Sequence, residues 1–242
     1  MRFALRGLAI LLAAVTITSV TVKDSAATPV CCVVPDNGAG TAAIPPIGCS
    51  YLGQMAMING LPAGATIQIN SDIVALSHGF AGPGGALGGT RQEWGGQITM
   101  TMTGTGTLFG FNRVIVLPLP SPQQETHSAP RTPFAPVQSF NEDLYFLQGQ
   151  VTGDPDFDLL RITAGSGFGQ PSPGHTILGQ TGGGWAVDSF FDIYYRIDFV
   201  GKPGSVLSGY SGSTTGTNRH LLCPGSVSVT ESAWGALKSL YR

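Results

Sequence analysis

Charged residues are scarce in this sequence, and their scarcity argues against several classes of protein. They make up 11% of the 242 residues, less than half of the ~25% found in an average soluble domain. The 12 Lys and Arg residues form none of the clusters that nucleic-acid binding requires. Helical periodicity is also rare outside the C-terminus. The composition therefore predicts neither a nucleic-acid partner nor a helical body.

Paired motifs of metal-dependent enzymes are missing as well. No HxH or HxxxH pair occurs, and we expect the histidines to lie in loops. Glu142 with Asp143, and Asp188 with Asp192, are only nominal carboxyl pairs, since glycoside hydrolysis needs two acids facing each other across a cleft. We therefore predict no catalytic residues. The four histidines are His78, His127, His175 and His220.

The N-terminus has the features of a secretory signal peptide at residues 1–27. Arg2 and Arg6 precede an apolar run at residues 8–20, and a small-residue stretch ends at Ala27. The run is shorter than the ~20 apolar residues of a membrane span, and no second run follows. Loss of three basic residues and one acidic residue changes the formal net charge from −2 to −4. We predict a secreted or cell-surface protein with no membrane span in the mature chain.

Four cysteines fall in the mature chain, without the paired CxxC motifs of a zinc site. An exported chain meets an oxidising compartment, so two disulfides are expected. A bond between adjacent Cys31 and Cys32 would be strained, because consecutive Cα atoms lie only about 3.8 Å apart and disulfides prefer more than ~4.4 Å. We predict that one of the two bonds Cys49 and the other bonds Cys223.

Alternating apolar and polar residues predict an all-β body. Residues 185–200 place apolar side chains at odd positions, and residues 98–103 alternate Ile or Met with Thr before a hairpin turn at 104–106. Glycine is abundant at 35 residues, about twice the usual ~7%, and marks the turns. We predict an antiparallel β-sandwich or jelly roll over residues 28–229 and a short C-terminal helix within 230–242.

A proline-rich stretch interrupts this pattern at residues 118–136, which hold six prolines. We expect an extended connection there. It leaves open whether the body is one β domain or two.

The segment "GDPDFDLLR" places Asp154, Asp156 and Asp158 at alternate positions, as a calcium loop does. In loops of the EF-hand type, the sixth residue is Gly and the twelfth is acidic, whereas Leu159 and Gly165 stand here. Two interpretations remain: a calcium site of another type, or a turn in which Asp side chains bond the local backbone. We favour the turn and predict no cofactor, with calcium as the one candidate that these aspartates leave open.

The even positions of the long strand carry a row of polar groups about 7 Å apart. Such a row is typical of a sugar-binding face and equally of the solvent side of a sheet. The candidate ligand-binding residues are Asp188, Asp192, Tyr194 and Arg196.

Several segments resemble a group of secreted proteins from environmental bacteria whose activity is unknown. The resemblance covers most of the mature chain and rests on "CCVVPDNGAGTAAIPPIGC", "GFNRVIVLPL", "GDPDFDLLRITAGSGFGQPSPGHT" and "VDSFFDIYYRIDFVGKPGSVLSGYSGSTTGT". It implies export and a β-rich fold, and no activity.

The C-terminal "SAWGALKSLYR" is similar to short tails of other exported bacterial proteins. That resemblance implies a sorting or attachment signal. The residues that it would involve are Trp234, Lys238, Tyr241 and Arg242.

Two functions from different classes follow from these observations. The first is a structural or adhesive module that binds polysaccharide or an envelope protein, and the alternative is an extracellular glycan hydrolase. A hydrolase requires a cleft where two acids converge, whereas a module presents faces and edges.

Overall fold

The computed structural model describes residues 32–59, 61 and 64–222. Several predictions concern residues outside this range. They are the signal peptide, the roles of Cys31 and Cys223, the helix within 230–242 and the four tail residues from Trp234 to Arg242. The rest is built from antiparallel strands, so the all-β prediction is confirmed. The ten strands are Val33–Val34 (β1), Tyr51–Ile58 (β2), Ile67–Pro83 (β3), Thr90–Gly104 (β4), Asn112–Ser128 (β5), Val137–Thr152 (β6), Phe157–Ala164 (β7), Pro173–Thr181 (β8), Gly184–Gly201 (β9) and Ser211–Leu222 (β10).

The sheet closes on itself. Its hydrogen-bonded order runs β9, β10, β2, β3, β4, β5, β6 and β7, and β7 pairs with β9 again. β7 and β8 share one position between β6 and β9, because β8 pairs with the first half of each neighbour and β7 with the second half. A single sheet therefore includes the strands on both sides of the proline-rich stretch.

Side chains that point inward at alternate positions along the strands fill the interior of the closed sheet. In β9 the odd-numbered side chains point inward, and Trp185, Phe191, Tyr195 and Phe199 are buried, as the period of two predicts. A cavity of about 20 Å³ remains in the interior beside Tyr195, room for about one water molecule. His220 lies on it, and burial lowers the pKa of its imidazole to about 4.

One end of the closed sheet is covered by residues 35–49. The segment is tied back by the Cys32–Cys49 disulfide, which confirms that one of the adjacent cysteines bonds Cys49. Ala42 and Ile44 are buried within it. A disulfide that closes a loop of this length contributes about 3 kcal/mol by restricting the unfolded chain.

The expectation of a long connection at residues 118–136 is wrong for its first part, which belongs to β5. Pro118 and Pro120 are exposed there, and the ladder from β5 to β6 starts only at Glu125. Proline lacks the N–H that a second ladder would need. The Gln124 side chain pairs with β6 instead: its Nε2 donates to the Gln148 carbonyl at 3.3 Å, and its Oε1 accepts the Gln148 backbone N–H at 2.8 Å.

The histidine expectation is also wrong, because all four histidines lie on strands rather than in loops. His127 and His220 are buried there.

Within the described residues, the structure has no helix with the length and apolarity that crossing a bilayer requires.

Candidate functional site

The predicted ligand-binding row lies on the outer face of β9, where neighbouring strands supply its partners. Asp192 accepts two hydrogen bonds of 2.6 Å from the Arg219 guanidinium on β10. Arg219 also lies over the Phe190 ring, with its Cζ 4.5 Å from the ring centroid. Cross-strand pairing of opposite charges is the usual arrangement of a solvent-facing sheet.

Asp198 is the second centre of this row. It accepts hydrogen bonds from Arg196 at 2.8 Å, from Arg161 at 2.9 Å and from the Ser213 hydroxyl. Partial burial alone would raise the pKa of this carboxyl, but these three donors lower it to about 2. Arg196, a predicted ligand residue, therefore already has a carboxylate partner.

Two predicted ligand residues of the row have no arginine partner among the residues that the structure describes. Asp188 is exposed, and partial burial raises its pKa while the charge of His175 on β8 opposes the rise. Tyr194 is half-buried. The role of the row in ligand binding stays a prediction.

The aspartate triplet forms the turn that one of the two interpretations predicted. The Asp154 carboxylate accepts the Asp156 backbone N–H at 2.9 Å. The Arg113 guanidinium then contacts both side chains, with 3.0 Å to Asp154 Oδ2 and a closer contact to Asp156. A guanidinium therefore lies where a calcium ion would have to bind these two carboxylates. Asp158 follows in the next strand and has an exposed side chain.

Metal ligands are not grouped elsewhere either. Across residues 32–59 and 64–222, no three His, Cys, Asp or Glu side chains lie together in a way that could hold a metal ion. Calcium binding remains a proposal that a titration must test.

A groove of about 430 Å³ lies on the outside of the sheet, where β6 and β8 meet the 84–89 loop. This volume falls within the range of small-molecule sites. Its wall is apolar at Leu87, and its polar groups include Asn141 and Asp143. None of the described residues that line it is basic. The lining residues are Leu87, Asn141, Glu142, Asp143, Pro171, Ser172, Pro173 and Gly174.

Asp143 is held differently from the aspartates of the row. Its carboxylate accepts a hydrogen bond from the Ser166 hydroxyl, in the 3-10 turn Ser166–Phe168. Burial raises the pKa of Asp143, against the opposing effects of Ser166 and of the charge of His127. A neutral hydroxyl neutralises no charge, so Asp143 retains capacity to accept further hydrogen bonds.

Four rings, none of which lines this groove, form a continuous aromatic ladder. His127 stacks on Tyr145 with ring centroids 4.3 Å apart, Tyr145 meets Phe146 at 4.5 Å, and Phe146 meets Phe168 at 5.1 Å. Ser166 joins the ladder to the groove, because it bonds Asp143 and lies in the same turn as Phe168. Phe168 is 41% exposed, so the ladder ends in an accessible apolar ring.

Glu142 lies on the opposite side of β6 from Asp143. Its carboxyl is buried inside the sheet, hydrogen-bonded to Thr176. Thr176 also lies 2.8 Å from Ser189, which contacts Tyr51 at 3.0 Å. Burial raises the pKa of Glu142 to about 7, although Thr176 and the charge of Arg131 oppose the rise. The nominal pair Glu142 and Asp143 therefore faces two different environments.

Sequence reasoning missed this groove because its residues come from distant segments. The register of β5 against β6 places His127 opposite Asp143, and the 3-10 turn adds Ser166 and Phe168. The loops that border the groove contain the glycine-rich segments "AGPGGALGG" and "GSGFGQPSPG", whose composition indicates turns and no binding site.

Comparison of the chain with protein-family models, with curated proteins and with solved structures finds no match. The site therefore has to be interpreted from its own geometry.

Proposed function

We propose that the protein is an exported adhesive or structural module that binds neutral polysaccharide in the groove beside Asp143. The observation that carries this proposal is the combination of a groove of about 430 Å³ with the aromatic ladder that ends at exposed Phe168. Sugar rings present apolar faces and hydroxyl edges. The groove offers hydrogen-bonding groups, and the exposed ring of Phe168 lies in the turn whose Ser166 bonds Asp143.

The charge of the groove supports a neutral ligand over an anionic one. Asp143 would repel a uronate or a sulfate, and none of the described lining residues is basic. Asp143 and Asn141 instead accept hydrogen bonds, which hydroxyl groups donate. The predicted export agrees with the Cys32–Cys49 disulfide, since such bonds persist in oxidising compartments.

Hydrolysis is the second proposal, and one observation favours it. The pKa of Glu142 near 7 is typical of a general acid. Consecutive strand residues point to opposite faces, however, so the carboxyls of Glu142 and Asp143 cannot face each other across the groove. We therefore rank binding without turnover first.

For the fold, we propose that the closed sheet flattens into two layers, as a β-sandwich or jelly roll does.

The test is binding to a panel of neutral and anionic polysaccharides by isothermal titration calorimetry, with assay of reducing ends. We expect binding to at least one neutral polysaccharide, no release of reducing ends, and ~10-fold weaker binding by Phe168→Ala, since an aromatic contact contributes up to ~1.5 kcal/mol. The matched control is Phe109→Ala, which removes a ring that is 91% exposed in the β4–β5 turn.

Two outcomes would contradict the proposal. One is preferential binding to the anionic polysaccharides. The other is release of reducing ends that Glu142→Gln abolishes, which would establish the hydrolase instead.

A further inference from the structure

The 84–89 loop, which supplies Leu87 to the groove wall, is attached to the sheet through one histidine. The Ala86 backbone N–H donates a hydrogen bond to His127 Nδ1 at 3.0 Å. Gly85 lies flat on the same ring, with a φ of +86°. A Cβ at that position would come within 2.7 Å of the imidazole.

The hydrogen bonds determine the protonation state of His127. Nδ1 accepts the Ala86 N–H, so it carries no proton, and Nε2 holds the ring proton. Nε2 lies 2.5 Å from Glu125 Oε1 and donates to it. Glu125 is held in turn by Arg91 Nε at 2.9 Å. The hydrogen bond between the loop and His127 therefore requires the neutral imidazole with its proton on Nε2.

We propose that His127 is a positioning residue for the groove, whose neutral form holds the 84–89 loop in place and makes ligand binding pH-dependent. A second proton would go to Nδ1, where it would point at the Ala86 N–H. Two donors cannot share that position, so protonation releases the loop and withdraws Leu87 from the groove wall. This inference rests on the proposed function of the groove.

The charges around the ring are those that a protonated histidine would meet. Glu125 on β5 and Asp143 on β6 bring negative charge to the ring, and Arg91 on β4 brings positive charge. Glu93 binds Arg91 at 2.7 Å. Tyr145 stacks on the ring at 4.3 Å. The contact that a second proton would break is the hydrogen bond from the Ala86 N–H.

The experiment compares amide hydrogen exchange of the loop at pH 8 and pH 5 in the full-length mature protein, corrected for intrinsic exchange. A histidine can change charge over this range. We expect protection of the Ala86 amide to fall ~10-fold at pH 5, the effect of losing one hydrogen bond. Imidazole ¹⁵N shifts at pH 8 should show the proton of His127 on Nε2.

Three variants separate positioning from general stability. His127→Asn keeps an acceptor near the position of Nδ1 but does not titrate, so the loop should stay protected at both pH values. His127→Leu removes the acceptor, and the loop should lose protection at both. His78→Asn makes the same chemical change away from the groove, where His78 contacts the Pro45 carbonyl, and should keep the wild-type pH response.

The inference is overturned by equal loop protection at pH 8 and pH 5 in the wild type, or by an Nδ1 proton at pH 8. It is also overturned if His127→Asn responds to pH as the wild type does. Polysaccharide binding is measured on the same samples. A loop that opens at pH 5 in a protein that binds no glycan would refute the proposed function, but it would still support the pH-dependent attachment of the loop to His127. A loop that opens without weakening glycan binding would refute the link between them.

Discussion

Glu142 and Asp143 on β6 lie in different electrostatic surroundings from Asp192 and Asp198 on β9. On β9 and its neighbours, Asp192 and Asp198 are paired with arginines, and the pKa of Asp198 falls to about 2. On β6, Glu142 and Asp143 contact hydroxyl groups, and both pKa values rise, that of Glu142 to about 7.

The difference shows that a row of charges is not by itself a binding face. An aspartate that already accepts two guanidinium hydrogen bonds has little remaining capacity to accept hydrogen bonds from a ligand. An aspartate that accepts a single hydroxyl bond beside a groove retains that capacity. We therefore propose that a ligand binds at β6 and that the paired charges of β9 and β10 belong to the solvent-facing surface.

The largest effect is expected at Glu142. Its pKa is about 7 in the folded protein against an ordinary value of 4.5, so its contribution to stability is fully present below pH 4.5 and is lost as the pH rises through 7. Glu142→Gln mimics the neutral acid. It should match the wild type at pH 4 and exceed its free energy of unfolding by about 3 kcal/mol at pH 8, as measured by urea denaturation. Equal destabilisation at both pH values would contradict the raised pKa.

A smaller effect is expected at Asp198, with the opposite pH dependence. Its lowered pKa means that the stabilisation is present above pH 3.8 and is lost as the pH falls through 2. Because its partners Arg161 and Arg196 are 39% and 50% exposed, Asp198→Asn should cost only ~1 kcal/mol at pH 7. Denaturation at pH 7 and pH 2 measures the difference, and a cost that persists at pH 2 would argue against the ion pairs as its source.

A still smaller effect is expected from the pair of Asp192 and Arg219. Exposed pairs of this kind contribute roughly 0.5 kcal/mol, even with two hydrogen bonds. Arg219→Gln should lower the free energy of unfolding by no more than this, and added salt should remove the difference. A cost of several kcal/mol that salt leaves unchanged would mean that the row is a structural element of the fold rather than a surface feature.

No effect is expected from calcium on the wild type. The hypothesis of a calcium site at Asp154 and Asp156 requires Tm to rise with calcium concentration, whereas the contact of Arg113 with both side chains predicts an unchanged Tm. Differential scanning fluorimetry with calcium or with a chelator decides between them. A rise that disappears in the double variant Asp154→Ala, Asp156→Ala would establish the site.

The strands were readable from the sequence because their buried faces repeat every two residues, as in β9. The closure of the sheet was not readable, since it depends on β9 pairing with both β7 and β10, far apart in the chain. The same reason explains the polar sites. Positions such as Asp192 were predicted to face outward, but the arginine opposite it on β10 is set by the strand register.

The groove could not be predicted from the sequence, for a related reason. His127 lies opposite Asp143 only through the β5–β6 register, and no local motif contains both residues. The rise in the pKa of Glu142 depends on its burial near Thr176 on β8 and Ser189 on β9, which periodicity alone does not reveal.

The most direct test of the account compares two isosteric variants, Asp143→Asn in the groove and Asp192→Asn in the row. The measurement is the Kd for a neutral polysaccharide that the wild type binds. We predict that Asp143→Asn weakens binding ~10-fold, because it loses a charge-assisted hydrogen bond, and that Asp192→Asn stays within about twofold of the wild type. The reverse order would place the binding face on β9 and contradict the central claim.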